Sequence, residues 1–284
     1  VQETLVESAV PDVSITTPAA PDGPDSDGSQ ATVDPETTAA APAGAAETTV
    51  QEPSPDHSMV PWPDPVEEAV RIIEPGAGSR VVSPLHLSGE ADPTFEQTLV
   101  VRLVRTDGSL MLEQPLQIDA YMGERGAFEA DLPFSVDTAE NVLIQVLDIC
   151  VRDGGIVHLS STAVTLLPSG VAEIRDGQLP FEQLQIFRPV LGETIKGGIV
   201  LVEGFGLASF ENTLIVEVYN AAGERVGMVP TMTSAREPGE PGWFSVEVEY
   251  NVSLEGPGRV SVVDPLPVFD GIGHVASVPV MLAP

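Results

Sequence analysis

Basic residues are scarce in this sequence. Its 284 residues include 12 Lys and Arg against 43 Asp and Glu, which gives a formal net charge of −31. A surface with this charge repels phosphate backbones and anionic headgroups, so nucleic acid is excluded as a partner and an anionic membrane surface is disfavoured. Cationic partners, divalent ions and uncharged polymers remain, and the acidity also favours solubility without any partner.

Cysteine is nearly absent, because Cys150 is the only one in the chain. A single cysteine cannot form an intramolecular disulfide. Cys150 lies in the apolar run from Val142 to Val151, where we expect the thiol to pack as a small buried hydrophobe. No Cys-His framework surrounds it, so it is not a candidate nucleophile.

Long apolar runs are missing as well. No stretch approaches the roughly 20 residues that span a bilayer, and no signal peptide is visible. The chain starts at Val1 rather than at a methionine, from which we expect that a secretion signal or a lipid or membrane anchor was removed upstream. The expected location is therefore extracellular or associated with the cell envelope.

Residues 1–66 differ in composition from the rest of the chain. Ala, Pro, Thr, Ser, Asp and Glu dominate them, and the first basic residue of the chain is Arg71. Such a segment cannot bury enough apolar area to offset its ordering entropy, so we predict a disordered acidic tether. Asp25-Ser26-Asp27-Gly28 with Asp34 resembles a calcium loop only faintly and has no flanking helix, so no calcium site is assigned.

The sequence after Arg71 has a pattern that is typical of β-structure. Short runs of Val, Ile, Leu and Phe alternate with Gly, Pro, Asp and Asn clusters at intervals of roughly 8–15 residues. Asp107-Gly108, Asp153-Gly154 and Asp270-Gly271 mark tight turns, and no amphipathic helix is visible. This pattern predicts an all-β fold made of sandwiches or small barrels.

An internal repeat is the strongest signal. Residues 89–108 align with residues 204–223, with seven identities in twenty positions where chance gives about one. The identical pairs are Gly89 and Gly204, Phe95 and Phe210, Glu96 and Glu211, Thr98 and Thr213, Leu99 and Leu214, Val101 and Val216, and Gly108 and Gly223. With the offset changed by one residue, the match continues to the end of each copy.

Each copy has about 100 residues, the size of an immunoglobulin-like sandwich with its own core. After the tether, we therefore predict immunoglobulin-like domain 1 at residues 67–168, a linker at 169–184 and immunoglobulin-like domain 2 at 185–284.

The repeated glycines and phenylalanines have structural interpretations. Gly89 and Gly204 are expected to end a strand, where a positive φ or a close approach of another group favours glycine. Phe95 and Phe210 are expected to fill the space between the two sheets just before the next strand begins. Both interpretations assign these residues to packing.

Further motifs recur in both copies. A proline closes Ile73-Glu74-Pro75 and Phe187-Arg188-Pro189, and a Gly-x5-Phe-Glu-x-Thr-Leu-x-Val segment, a Gly-x-Phe strand and a Val-x-Asp…His hairpin follow. Each copy resembles the immunoglobulin-like domain of bacterial spore germination, of the GerM-associated type, over residues 71–167 and 185–283. Copy two departs from copy one at Lys196-Gly197-Gly198. The resemblance implies extracytoplasmic interaction or spacer modules and supplies no catalytic residue.

One pair of titratable residues also repeats. Asp148 and His158 recur as Asp264 and His274, ten residues apart in each copy. Such residues can bind metals or transfer protons. Each copy offers only one such histidine and no third ligand at a recognisable spacing, so a hairpin hydrogen bond is favoured. No metal and no other cofactor is assigned.

Other candidate binding residues stay open. Glu96 and Glu211 either accept hydrogen bonds from loop N–H groups or contact a ligand. Trp62 and Trp243 are either packing residues or exposed recognition aromatics. With two Trp and three Tyr in the chain, a deep sugar-stacking cleft is not expected.

The motif search leaves no catalytic candidate. Nucleophile elbows, phosphate loops, Cys-x-x-Cys and His-Glu-x-x-His are all missing. We therefore predict a non-enzymatic binding or scaffolding protein of the bacterial cell envelope, whose partner is another envelope protein or a wall polymer. The alternative is a protein that binds cell-wall carbohydrate, which would require exposed coplanar aromatic side chains. No binding residue is assigned.

Overall fold

A computed structural model describes residues 62–207 and 210–284 of the protein. This part is almost entirely β-structure, with three short 3-10 turns. Within it, no helix is long and apolar enough to cross a membrane. Most of the predicted tether, including the segment from Asp25 to Asp34, lies outside the described residues.

The first half folds as two antiparallel sheets that pack face to face. Its strands are β1 (Val70–Glu74), β2 (Arg80–Val81), β3 (Leu85–Ala91), β4 (Thr98–Arg105), β5 (Leu110–Asp119), β6 (Gly126–Leu132), β7 (Glu140–Ile149) and β8 (Ile156–Leu166). One sheet has the order β1-β3-β6 and the other β5-β4-β7-β8, with β2 parallel to β8. The end of β5 also pairs with β6. We call this unit sandwich 1.

The second half repeats this arrangement strand for strand. Its strands are β9 (Leu184–Arg188), β10 (Thr194–Ile195), β11 (Ile199–Gly206), β12 (Thr213–Tyr219), β13 (Arg225–Met232), β14 (Gly242–Glu249), β15 (Gly256–Leu266) and β16 (Gly271–Leu282). The sheets are β9-β11-β14 and β13-β12-β15-β16, with β10 parallel to β16. We call this unit sandwich 2. The predicted all-β fold of tandem immunoglobulin-like sandwiches is confirmed, while the predicted domain boundaries stay a prediction.

Alternation along the strands builds a separate core in each sandwich. In β4, Leu99, Val101 and Leu103 share one face and are fully buried. The equivalent face of β12 is buried in the core of sandwich 2. The period-two pattern in the sequence therefore identifies the core positions of these strands correctly.

Gly89 and Gly204 lie inside strands β3 and β11, not at their ends as predicted. Gly89 pairs with Phe128 on β6, and Gly204 pairs with Phe244 on β14. A Cβ at either glycine would overlap the phenylalanine ring and a backbone carbonyl of the neighbouring strand. Close approach, rather than a positive φ, is therefore the reason for glycine at both positions.

The prediction that Phe95 fills the space between the sheets is wrong. Its side chain is 58% exposed, and the buried side chain of the same turn is Gln97, whose amide donates to two backbone carbonyls of the β5–β6 loop. Phe210 begins the equivalent turn, and its side chain lies outside the described residues. Glu96 and Glu211 are exposed, and each has a φ of 54°. The conformation of this turn therefore repeats in both copies.

Sandwich 1 and sandwich 2 contact each other through one edge strand of each sandwich. Strands β8 and β16 pair antiparallel where Leu159 lies opposite Val275, which joins the two larger sheets into one. An apolar cluster covers this joint, and partly buried valine and isoleucine side chains pack around it. Its buried members are Leu147, Leu159, Val263 and Val275.

Two serine hydroxyls cross the joint in opposite directions. Ser161 Oγ donates to the carbonyl of Gly273, and Ser277 Oγ donates to the carbonyl of Val157, both at 2.6 Å. Ser161 and Ser277 are 116 residues apart, and so are Val157 and Gly273, so the two bonds join equivalent residues of the two copies. The joint therefore has approximate two-fold symmetry.

The segment predicted as the linker packs against sandwich 1. Arg80 and Glu173 exchange two backbone hydrogen bonds, at 2.9 and 2.8 Å. Further along, the amide of Gln178 donates to the carbonyl of Ile72 at 3.0 Å. These contacts lead the chain back to the joint just before sandwich 2 begins.

Candidate functional site

Two histidines and two glutamates form a buried cluster at the joint. Glu68 precedes β1 and Glu182 precedes β9, while His158 lies on β8 and His274 on β16. All four side chains are buried, and one ligand atom from each lies within 4.8 Å of the others. We call these four residues the joint cluster.

The backbone brings the two glutamates together. The amide of Glu68 donates to the carbonyl of Pro180 at 3.0 Å, and the amide of Glu182 donates to the carbonyl of Val66 at 2.8 Å. This short antiparallel bridge aligns the segment before each sandwich with the segment before the other. Each glutamate is thereby held by both halves of the joint.

Each histidine faces a glutamate. Nε2 of His158 lies 2.7 Å from Oε1 of Glu68, and Nε2 of His274 lies 3.1 Å from Oε1 of Glu182. The crossed distances are longer, at 3.9 Å from His158 Nε2 to Glu182 Oε2 and 3.6 Å from His274 Nε2 to Glu68 Oε1. The rings meet edge to face with centroids 4.9 Å apart. Both Nε2 atoms therefore point into the space between the carboxylates.

The second oxygen of each carboxylate binds the backbone of the other segment. Oε2 of Glu68 accepts a hydrogen bond from the amide of Gln183 at 3.1 Å, and Oε2 of Glu182 accepts one from the amide of Ala69 at 3.2 Å. These bonds fix the rotation of the carboxylates, because each oxygen has its own partner.

Within the joint cluster, carboxylates favour the protonated form of His274, and the histidines favour the ionised form of Glu182. Burial by itself lowers the pKa of His274, but three carboxylates outweigh it and raise this pKa to about 9; they belong to Glu68, Glu182 and Asp264. Burial alone raises the pKa of Glu182, but His158 and His274 lower it to about 2. Without another cation, Glu182 and His274 are therefore held as an ion pair near neutral pH.

The joint cluster has two chemical uses. Two buried carboxylates and two imidazoles can form a closed set of ion pairs that fastens the sandwiches together. The same nitrogen and oxygen donors can also bind a transition-metal ion. In both cases, each copy of the repeat supplies two of the four side chains.

The predicted pairs Asp148–His158 and Asp264–His274 do lie opposite each other in the strand register. The histidine Nε2 atoms, however, face glutamates and not these aspartates. The charge of His158 lowers the pKa of Asp148, but burial is the larger effect and raises it. The aspartates are therefore cross-strand neighbours of the histidines.

Sequence reasoning missed the glutamates, because Glu68 lies at the start of predicted domain 1, ahead of the aligned repeat, and Glu182 lies in the predicted linker. A signal was present in the printed sequence. Glu68-Ala69-Val70 and Glu182-Gln183-Leu184 place a glutamate two residues before an aliphatic residue at the start of each copy. Extending the repeat alignment towards the N-terminus, with the offset changed from 115 to 114 residues, would have found this pair.

A second polar contact crosses the joint in the loop between β7 and β8. Asp153 accepts hydrogen bonds from Arg259 on β15 at 3.1 and 3.2 Å, and both side chains are almost fully buried. Burial raises the pKa of Asp153, but hydrogen bonds from Gly155, Arg259 and Arg152 outweigh it and lower the pKa to about 2. Cys150, which begins this loop, is half-buried, not fully buried as expected.

Aromatic side chains gather on sandwich 2. Phe205 contacts Trp62 and Trp243, with ring centroids 6.0 and 5.2 Å apart, and Trp243 also contacts Phe187 at 5.5 Å. The rings are inclined to one another by 51°, 65° and 40°, respectively. They do not form the coplanar platform that the carbohydrate-binding alternative requires.

Comparison with protein families gives a match within sandwich 1. Residues 69–155 match the family described as the immunoglobulin-like domain of bacterial spore germination. The family resemblance drawn from the sequence is confirmed there. A search of curated proteins found no match.

Solved structures with similar strands include two-domain immunoglobulin modules. The titin domains z1z2 in complex with telethonin are 14% identical, with 77% of this chain and 97% of that chain covered and a TM-score of 0.18. The N-terminal Ig1-2 module of the Drosophila receptor protein tyrosine phosphatase DLAR is 12% identical, with 76% and 100% covered and a TM-score of 0.22. These TM-scores are too low to support a conclusion about the fold. The immunoglobulin-like fold is therefore assigned from the order of the strands in the sheets.

Proposed function

We propose that the chain is a non-catalytic scaffold of the bacterial cell envelope that presents two immunoglobulin-like sandwiches as one body. The family match of residues 69–155 supports a binding or scaffolding role, and the repeat extends that role to the second sandwich. The excess of 43 acidic over 12 basic residues favours partners with cationic or uncharged surfaces. No catalytic constellation was found in the sequence to support an enzyme.

The observation that carries this proposal is the reciprocal joint. Hydrogen bonds run from each half to the other in the serine pair, in the glutamate segments and in the buried pair of Asp153 and Arg259. Tandem domains that act as independent beads need no such contacts, since a flexible linker is enough to connect them. A fixed joint lets a partner bind a surface to which both sandwiches contribute.

Localisation and partner capture test the proposal in the bacterium that makes the protein. We expect an epitope inserted at the exposed Gly239 turn to be accessible to antibody and protease on intact cells. Cross-linking should then recover an envelope protein. Retention of the epitope in the cytosolic fraction would contradict the envelope role.

Sedimentation with purified cell-wall polysaccharide separates the scaffold from the carbohydrate-binding alternative. Because the aromatic rings on sandwich 2 are inclined, we expect the protein to remain in the supernatant. Saturable sedimentation that is lost in Trp62→Ala, but kept in the matched variant Tyr121→Ala with its 83% exposed ring, would favour the carbohydrate alternative.

A further inference from the structure

We propose that the joint cluster is a binding site for one divalent transition-metal ion, with zinc as the ion that fits it best. The proposal concerns the joint alone and does not depend on the envelope role. It assigns Glu68, His158, Glu182 and His274 as the four ligands.

The donor set selects the class of metal. Two imidazole nitrogens and two carboxylate oxygens suit zinc and its neighbours in the first transition row. Calcium and magnesium prefer sites built from oxygen alone, with six or more ligands. A set of four donors that is half nitrogen therefore disfavours both of them.

The distances between donors agree with tetrahedral coordination. A tetrahedral zinc ion with bonds of about 2.0–2.1 Å separates its ligand atoms by about 3.3 Å. The Nε2 atoms of His158 and His274 lie 2.7 and 3.6 Å from Oε1 of Glu68, and His274 Nε2 lies 3.1 Å from Oε1 of Glu182, on both sides of that value. His158 Nε2 lies 3.9 Å from the other oxygen of Glu182, Oε2, so coordination by all four residues requires side-chain shifts of roughly half an ångström.

Charge and symmetry also fit a single ion. A metal ion that binds the Nε2 atoms releases any proton they carry to solvent, which leaves neutral imidazoles. The joint cluster then carries the charge of its two carboxylates, which one divalent ion cancels in a buried site. His158 and Glu68 in sandwich 1 correspond to His274 and Glu182 in sandwich 2. One ion on the approximate two-fold axis would therefore contact both halves equally.

The surroundings hold the ligands in place. Backbone amides of Ala69 and Gln183 bind the outer carboxylate oxygens, which leaves the inner oxygens directed at the histidines. Second contacts of this kind orient ligands in metal sites. Because all four ligands are buried protein side chains, the site is closed, as in structural rather than catalytic zinc sites.

Metal titration of the full chain tests the proposal. Protein dialysed against a chelator is titrated with zinc chloride by calorimetry, and with Co²⁺ by absorption spectroscopy. We expect one ion per chain and the intense visible bands of tetrahedral Co²⁺. His158→Gln and Glu182→Gln should each weaken zinc binding by at least about 100-fold.

The chain offers a matched control in its other two histidines. The variant His57→Gln/His86→Gln should bind zinc as the wild type does; His86 is an exposed residue paired with Asp131. X-ray absorption of the zinc-loaded wild type should give four nitrogen or oxygen neighbours at about 2.0 Å and the outer-shell scattering of two imidazole rings, and it decides the matter even if a cluster variant fails to fold. Zinc binding that is absent, insensitive to the cluster variants or lost in the control would overturn the proposal.

Discussion

Single glycines make room for a phenylalanine ring from the neighbouring strand of the same sheet in each sandwich. Gly89 and Gly204 lie under the rings of Phe128 and Phe244, where no Cβ fits. We expect Gly89→Ala to lower the free energy of unfolding by about 3 kcal/mol, because the ring and a backbone carbonyl must both move. Guanidinium unfolding measures the change, and Gly256→Ala is the matched control, since nothing lies within 4 Å of a Cβ there. Equal stability of the two variants would contradict this account of the repeated glycine.

The buried pair of Asp153 and Arg259 makes a second prediction at this scale. Asp153→Asn leaves the Arg259 guanidinium, which is 3% exposed, without its charged partner. We expect a loss of about 3–5 kcal/mol in the free energy of unfolding. Glu113→Gln breaks the exposed pair with Arg102 and should cost less than about 1 kcal/mol. A loss for Asp153→Asn no larger than for this control would show that the pair does not stabilise the joint.

The same aspartate predicts a pH dependence. The folded protein lowers the pKa of Asp153 to about 2, below its value of about 4 in an unfolded chain. A lowered pKa stabilises the fold above the unfolded value, and the contribution is lost as the pH falls from about 4 to 2. The difference in unfolding free energy between wild type and Asp153→Asn should shrink across this window. A constant difference would show that the carboxylate charge is not the cause.

At the scale of elements, the pairing of β8 with β16 decides how the two halves associate. Ser161 and Ser277 each donate across the joint at 2.6 Å. Because the bonds are equivalent by symmetry, Ser161→Ala and Ser277→Ala should lower the free energy of unfolding by similar amounts, about 1 kcal/mol each. The exposed loop residue Ser253 provides the control variant Ser253→Ala, which should leave the melting temperature unchanged. Unequal losses in the two joint variants would contradict the symmetry.

Strands and turns were predictable from the sequence because they depend on local patterns. Alternating residues identified the buried faces of β4 and β12, and the predicted turns hold positive φ angles at Gly108, Gly154 and Asp270. Phe95 was misassigned, because a large apolar residue can also lie on the surface. Recurrence in both copies indicates a shared structural position but not burial.

The joint was harder to predict, because it depends on contacts between distant segments. The apolar positions Leu147 and Val263 point away from their own cores, and only the other sandwich explains why they are buried. The joint cluster takes two ligands from each copy, so a search for metal ligands within one copy cannot find it. A paired reading of the repeat, with Glu68 aligned to Glu182, would have been needed.

At the scale of the whole described unit, the sequence repeat accounts for the approximate two-fold symmetry of the joint. Two copies of one sandwich place equivalent side chains on equivalent strands, so an edge-to-edge contact between β8 and β16 brings both members of each pair to the same axis. Serines, glutamates and histidines at the joint all follow this rule. The duplicated sequence therefore builds a site that neither copy contains by itself.

Residual dipolar couplings of backbone amides test the fixed joint most directly. They report the orientation of each sandwich in a weakly aligned sample of the full chain. The account predicts that the couplings of residues 70–166 and of residues 184–282 fit one common alignment tensor. Two tensors that differ in magnitude or orientation would mean that the sandwiches reorient independently, and would contradict the claim that they form one body.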